Sequence, residues 1–391
     1  MKKLFRNAMF ALASVMMLSL TACGDKDNDN DTTTSADEPA AYQTIADQFV
    51  NGTVIPTYTK LAANTEQLVE DLQTLQNDKT QANLDKATVT FLAARQWWER
   101  SEAFLFGPAN DFGIDPHIDS WPLDEDGFNT MMANDAQMAQ LAGEEGDTYA
   151  GEYLGRALLG FHGIEYILFT DGHAKNVADI SDKELIYAIA VAGDLRNRCY
   201  QLEVSWAGDD APAAHVAKVV KELELNCTVG GGSLSYGESM LSAGKAGSIY
   251  VNYTAVMQEI CGGGSTIADE VGASKIGKAY HGEDITYIES PYSQKSITDF
   301  HDNIISIQNA YMGGLEGETR DEAKSLHNYV KSVNADLDTK VIDAINNALA
   351  KIDAMPAPFV KNYSKKANEA AIDACAALDE VLQELSSYLA K

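Results

Sequence analysis

Apolar residues recur at three- and four-residue steps along almost the whole of this chain, and no stretch longer than a few residues alternates with a period of two. The pattern predicts an all-α fold. Leu84, Phe91, Trp98 and Leu105 keep one face at seven-residue steps, with Ala87, Thr88 and Ala94 filling between them. That helix is expected to run to Gly107-Pro108, where proline removes both a donor and the helical geometry. Ala323, Leu326, Val330, Val333, Leu337, Val341, Ile345 and Leu349 predict a second long amphipathic helix, and Ala371, Cys375, Leu378, Leu382, Leu385 and Leu389 a third, with Met355-Pro356-Ala357-Pro358 between them. Further helices are expected near 41–76, 124–141, 149–170, 181–206, 211–226, 248–261 and 293–312.

A body of about 350 residues exceeds what one hydrophobic core usually serves, so two up-down helical bundles are expected. Gly208-Asp209-Asp210-Ala211-Pro212 interrupts the helical pattern, which divides the body into an N-terminal domain at 41–208 and a C-terminal domain at 209–391. Three stretches read as long loops: 108–122, rich in Asp, Gly and Pro, and 230–247 and 262–291, rich in Gly and Ser. Loops of that length are more often functional or mobile than idle. Cys199, Cys227, Cys261 and Cys375 permit disulfides outside the cytoplasm, but no Cys-x-x-Cys pair suggests a zinc or redox site, and Cys375 falls on an apolar stripe where a buried free thiol fits equally well.

The first 22 residues read as a leader: Lys2, Lys3 and Arg6, an apolar run from Ala8 to Leu20, then Leu20-Thr21-Ala22-Cys23 as a lipobox. The run is too short to span a bilayer. The mature chain is therefore expected to begin at a lipidated Cys23, the alternative being an ordinary cleaved secretory leader. Residues 23–40 are acidic and polar with almost nothing apolar, so they read as a flexible tether. Asp25, Asp27, Asp29 and Asp31 resemble a signal that sends some bacterial lipoproteins to the outer face. The expected location is an outer-membrane lipoprotein on the periplasmic or cell-surface side, touching the membrane through its lipid anchor only. The formal charge of −29 becomes −32 when the leader's three cations leave with it, and such a surface repels phosphate backbones, which excludes nucleic acid as a partner.

Chemistry concentrates at Gly160-Phe161-His162-Gly163-Ile164-Glu165. Between Ala157 and Phe169 the ionisable groups are His162, Glu165 and the phenol of Tyr166, the rest being Ala, Leu, Gly, Phe and Ile. A helix apolar almost all round is buried. His162 and Glu165 share a face at three-residue spacing, and an unpaired buried carboxylate is costly, so Glu165 must neutralise, pair with a cation or bind a metal. Gly160 and Gly163 each weaken a helix by up to ~1 kcal/mol relative to Ala, which implies that something approaches that face closely. The competing reading is a satisfied core histidine paired with a structural glutamate.

Three other stretches carry candidates. In Trp97-Trp98-Glu99-Arg100-Ser101-Glu102, Glu102 follows Trp98 by one turn and lies on the apolar stripe beside Glu99 and Arg95; the two carboxylates read either as metal ligands from a second helix or as an internal salt bridge with Arg95. The loop from Asp111 to Asp119, with Asp115 and His117, offers oxygen and imidazole donors, although its order is not that of an EF-hand calcium loop. Glu289-Ser290-Pro291-Tyr292-Ser293 opens a helix in which Ser293 reads as the N-cap, and Tyr292, Ser293, Ser296 and Asp299, with Asn303, can line a polar cleft. Zinc-protease, nucleotide-loop and serine-hydrolase motifs fail on inspection: no His-Glu-x-x-His exists, Tyr166 stands where an inverted zinc motif needs a second histidine, and Gly244-Lys245 lacks the Walker spacing.

Taken in order along the chain, Glu99 to Glu102 leading into Phe104-Leu105-Phe106-Gly107-Pro108, then Trp121-Pro122-Leu123, Gly160 to Glu165 and Glu289 to Asp299 resemble the imelysin family, with Gly-x-His-x-x-Glu the most specific piece. The resemblance implies an exported or lipid-anchored protein of two helical domains, linked in many bacteria to iron acquisition, with a site near the domain interface at His162 and Glu165. The family takes its name from a protease activity ascribed to early members. It is also similar to the domain of a periplasmic iron-uptake component in which the His-x-x-Glu pair is proposed to bind metal, and that analogy makes Glu99, Glu102 and Asp115 second-rank ligand candidates.

Three functions follow as expectations. The first is a metal-binding protein, handling iron or another divalent or ferric ion, with zinc and calcium as alternatives and iron-uptake proteins as partners; one imidazole with several carboxylates suits iron better than it suits thiolate-seeking metals. The second is a metallopeptidase using His162 and Glu165, which needs a further ligand and an open water position. The third is a module for a small organic ligand such as a haem, siderophore or saccharide, served by Trp97, Trp121 and Tyr292.

Overall fold

Short polar side chains start several of the principal helices, and each does so by accepting a backbone N–H that the helix itself leaves unpaired. In the computed structural model, which describes residues 39–391, Thr80 caps α3 (Gln81–Glu99) and Ser181 forms a reciprocal capping box with Glu184 at α5 (Asp182–Ala207). Asn252 caps α6 (Tyr253–Asp269) and Asn334 caps α8 (Ala335–Asp353). The other main elements are α1 (Ala40–Phe49), α2 (Ile55–Asn77), α4 (Gly160–Leu168), α7 (Ser296–Met312) and α9 (Glu369–Leu389). Strand is confined, among the described residues, to a two-residue antiparallel pairing of Phe169–Thr170 with His173–Ala174. The leader, Cys23 and nearly all of the expected tether lie outside the described residues.

In the first half, α2 packs on α3 and α5, and α4 lies against both α3 and α5. In the second half, α9 packs on α6 and α8, and α7 on α6 and α8. The chain does break after α5, at Gly208 with φ 59°. One apolar core nevertheless runs from Tyr42 to Leu389, and residues 38–391 form one compact unit. α1 packs on α6, with the Tyr42 hydroxyl donating to the carbonyl of Leu389, while α3 and α7 pack directly on one another. The polar centre described below lies at that α3–α7 contact.

Several boundaries differ from the sequence expectation. α3 stops at Glu99, and Glu102 sits on a separate 3-10 turn, Glu102–Phe104, rather than on a helix continuing to Gly107. The region 149–170 divides into Gly146–Tyr153 and α4, and 124–141 into Glu125–Met132 and Asp135–Leu141, the latter capped by Asn134. The long helix expected over 323–349 breaks at Asn334 because that side chain caps α8 instead of continuing the preceding helix, Leu326–Val333. The largest correction concerns 262–291, read as a loop: it is helical as far as Tyr280, through a π-helical stretch, Glu270–Ile276. Gly263 and Gly272 are packing contacts, not breakers. A Cβ on Gly263 would lie 2.2 Å from the carbonyl oxygen of Ala103, and one on Gly272 would lie 3.0 Å from Cys375. All four body cysteines are buried free thiols, so none of the permitted disulfides forms.

Candidate metal centre

Gly160 explains why His162 sits where it does. Its φ is +65°, and a Cβ there would fall 1.8 Å from the carbonyl oxygen of Ile118, so only glycine lets the short helix Asp115–Ile118 press against the start of α4. Gly163 admits the Tyr187 hydroxyl in the same way, since a Cβ there would lie 2.4 Å from that oxygen. The close approach inferred from the sequence is thus made by the protein itself. Its consequence is that the next residue, Asp119, is delivered beside His162, with Oδ1 3.0 Å from the imidazole Nε2.

Around this contact five segments converge. α3 supplies Arg95, whose guanidinium pairs with Asp119, with Glu289 and, at 2.5 Å, with Glu99. The Trp98 indole donates to Asp119 Oδ2 at 2.7 Å. From the π-helical stretch comes Lys275, whose Nζ lies 3.2 Å from Glu289, 3.7 Å from Glu102 and 3.8 Å from Glu99. The turn before α7 supplies Glu289. That turn is held in a strained shape, with Ser290 and Gln294 at φ 49° and 56°, by Ser290 Oγ donating to Asp299 and Ser296 Oγ donating to the Glu289 carbonyl. α7 supplies Asn303, which donates to Glu99 Oε2 at 2.6 Å. Arg95, Glu99, Asp119, His162, Lys275 and Glu289 are all at or below 4 % exposure.

Acid outnumbers base in this cluster, and the protonation equilibria respond accordingly. Burial drives the carboxyls of Glu99 and Glu102 well above their usual range and lifts Asp299 to about 7, against the pull of Arg95 on Glu99 and Asp299 and of Lys275 on Glu102. Burial opposes ionisation of Asp119 as well, but Arg95 and His162 hold it well below the ordinary carboxylate range. For His162 burial disfavours the cation, yet Asp119 and Glu165 outweigh it and raise the imidazole to about 9. Arg95 and Lys275 stay charged, burial notwithstanding, because carboxylates surround them.

The residues singled out from the sequence are brought together only in part. His162 and Asp119 join Glu289 in one group whose potential donor atoms all lie within 4.8 Å of one another, and Glu99, Glu102 and Asp119 form a second. Glu165 belongs to neither: Oε2 lies 3.2 Å from His162 Nδ1 and Oε1 accepts the Ser293 N–H at 2.7 Å, so it orients the ring. Asp115 stands at the edge, lining a cavity of about 230 Å³ with Glu102, Asp119 and Lys275, and burial lifts it to about 7. Ser293 does not cap α7, which begins at Ser296 with Lys295 in the N-cap position; its backbone N–H instead donates to Glu165. Tyr292 is half-buried against Tyr166 and lines a cavity of about 190 Å³ that also reaches His162 and Trp121. Ser296 and Asp299 support the Glu289 turn, and Asp299 also lines a cavity of about 270 Å³ with Arg95, Lys295 and Asp302. Asp119 and Glu289 lay in stretches already marked as polar but were not assigned as ligands, and Lys275 was missed altogether.

The profile of the imelysin family, peptidase family M75, matches residues 54–385. The chain belongs to the imelysin family. It is 27 % identical over 340 residues to iron-regulated protein A of Synechococcus elongatus, covering 86 % of this chain and 83 % of that one. Among solved structures it resembles a candidate iron-regulated protein A precursor from Parabacteroides distasonis, with a TM-score of 0.74 and 28 % identity over 90 % of this chain and 96 % of that one. An imelysin-like protein from Psychrobacter arcticum shares the fold at a TM-score of 0.59 and 14 % identity, over 87 % and 92 % of the two chains. Imelysin-family membership and the helical fold therefore agree with the resemblance read from the sequence.

The donor set suits a metal ion on physical grounds visible in the cluster. His162 Nε2, Glu289 Oε2 and Glu99 Oε1 are buried polar atoms without an aligned hydrogen bond, although each lies within ion-pair distance of an oppositely charged group. Buried groups of this kind are normally satisfied. One imidazole nitrogen with several carboxylate oxygens matches iron, manganese or zinc, and no cysteine belongs to either candidate group.

Proposed function

We propose that this imelysin-family chain is an exported, Cys23-anchored outer-membrane protein that binds a metal ion, iron in the first instance, through His162, Asp119 and Glu289, and takes part in iron acquisition with other uptake proteins. The observation that carries the reading is the unaligned Nε2 of His162, held by Glu165 on its other nitrogen and facing carboxylates that exceed the local positive charge. The iron-regulated names of the relatives support the choice of metal. Burial of all three donors favours holding an ion over hydrolysing a peptide, which needs an open water position at the metal. The test is calorimetric titration of the mature protein with Fe²⁺ under anaerobic conditions, then with Zn²⁺ and Mn²⁺. Binding weakened at least ~100-fold by His162→Ala supports the reading. Absence of binding by the unmodified protein, or an unchanged affinity in the variant, overturns it.

A further inference from the structure

Lys275 is the group in this cluster that a metal centre least obviously needs. Its side chain is 1 % exposed, and its three ion pairs, at 3.2, 3.7 and 3.8 Å, are all longer than the ~2.8 Å of a well-formed ammonium–carboxylate bond. The ammonium therefore sits loosely among Glu99, Glu102 and Glu289, all of which also offer donor atoms to the candidate ion groups, Glu289 with His162 and Asp119, and Glu99 and Glu102 with Asp119. Beside it opens the cavity of about 230 Å³, lined by Lys275 itself and by Asp115, Glu270 and Trp121, and large against the ~30 Å³ share of one water molecule. The Trp121 ring lies 5.8 Å from Nζ and presents a face able to receive a cation.

We propose that Lys275 is a tethered stand-in for a metal ion: its ammonium compensates Glu289 together with Glu99 and Glu102, and a divalent cation seated by His162, Asp119 and Glu289 takes over Glu289 and displaces the ammonium into the adjoining cavity. The inference rests on the metal-centre reading and adds what sets its selectivity. A monovalent ion gains nothing by replacing an ammonium of equal charge that is already tethered in place. A divalent ion brings a second charge to a pocket with acid to spare, and the released ammonium finds Asp115, Glu270 and the Trp121 face in the cavity. The carboxylates thus stay compensated in both states, which a buried acidic cluster requires.

The experiment compares the mature protein with Lys275→Met in anaerobic Fe²⁺ titrations. Loss of the competitor is expected to tighten binding at least tenfold and to enlarge the rise in Tm on loading. In the unmodified protein, acylation of Lys275 by an N-hydroxysuccinimide ester, followed by peptide mass spectrometry, is expected to rise severalfold when Fe²⁺ is added. Equal or weaker affinity in the variant, with binding by the unmodified protein intact, overturns the stand-in and leaves the metal centre standing. Absence of binding in both proteins overturns both. Should Lys275→Met fail to fold, the labelling decides alone: a rise on loading supports displacement, and an unchanged yield overturns it.

Discussion

His215 and His327 each face one carboxylate, and so at first sight does His162, yet the surroundings differ. His215 Nδ1 lies 2.5 Å from Glu203 with its ring stacked on Tyr200, and His327 Nδ1 lies 2.7 Å from Asp338, which also accepts from the Tyr311 hydroxyl. Both rings are half-buried, and each makes a closed pair with a single acid. His162 is buried, has Glu165 on one nitrogen and Asp119 on the other, and stands in a cluster whose acids exceed Arg95 and Lys275. A histidine beside a carboxylate is therefore no signal by itself. Surplus negative charge around a ring nitrogen without an aligned partner is what separates a candidate binding centre from a structural pair.

The widest gap between the two kinds of pair should appear in stability. Arg95 compensates Asp119, Glu99 and Glu289 at once, and Arg95→Leu strands them in a dry interior. Removing one partner of a buried ion pair costs roughly 3–5 kcal/mol. Denaturant unfolding of the metal-free protein should show that loss, whereas Asp338→Asn, which leaves His327 and Tyr311 an oxygen to share beside a half-buried ring, should cost about 1 kcal/mol or less. Similar losses in the two variants would remove the distinction between a tense cluster and a closed pair.

The helices were legible in the sequence because burial writes a period of 3.6 into the chain, and His162 with Glu165 was legible because both are ionisable residues in an oily helix. What escaped was convergence. Arg95, Asp119, His162, Lys275 and Glu289 come from five segments, and no local period relates residues that far apart. Lys275 was hidden for a second reason: Gly262, Gly263, Gly264 and Gly272 read as loop formers, while in the fold Gly263 and Gly272 leave room for Ala103 and Cys375. Glu165 is ambiguous in the sequence for a related reason. Its spacing from His162 is what a ligand pair or a ligand and its orienting partner would both show, and only the Ser293 N–H on its second oxygen tells them apart.

That distinction sharpens into a smaller effect on affinity. Glu165→Gln keeps an acceptor for one of its two partners, the Ser293 N–H or the ring, and removes the charge that makes the imidazole a better donor. Losing an outer partner of a ligating histidine typically weakens metal binding roughly 10–100-fold, and this conservative change should fall near tenfold in an Fe²⁺ titration. A loss as large as that of His162→Ala would make Glu165 a ligand after all. The matching change at the closed pair, Glu203→Gln, should leave Fe²⁺ affinity untouched.

The pH dependence is an effect that only the open centre can show. The metal-free imidazole of His162, raised to about 9 against an ordinary 6.5, carries a proton at neutral pH, and a metal ion must displace it. Fe²⁺ affinity should accordingly rise at least about tenfold per pH unit between about pH 6.5 and 8, the His162 proton leaving for each ion bound, and its contribution should flatten as the pH approaches 9. The metal-free protein should move the other way. A group whose folded pKa is raised gives its full stabilisation below the unfolded value and loses it as the pH climbs through the folded one, so the contribution of His162 fades between about 6.5 and 9. The other groups of the cluster do not cancel this trend: Asp119 is held ionised throughout the window and Arg95 remains charged, while Glu99, Glu102, Asp115 and Asp299, all raised by burial, lose stabilisation in the same direction as the pH climbs. Opposite pH slopes for the loaded and metal-free forms, measured by thermal unfolding with and without Fe²⁺, would place the exchanged proton at the metal; His162→Ala should shrink the divergence by the share of one titrating group and His215→Ala should leave it unchanged.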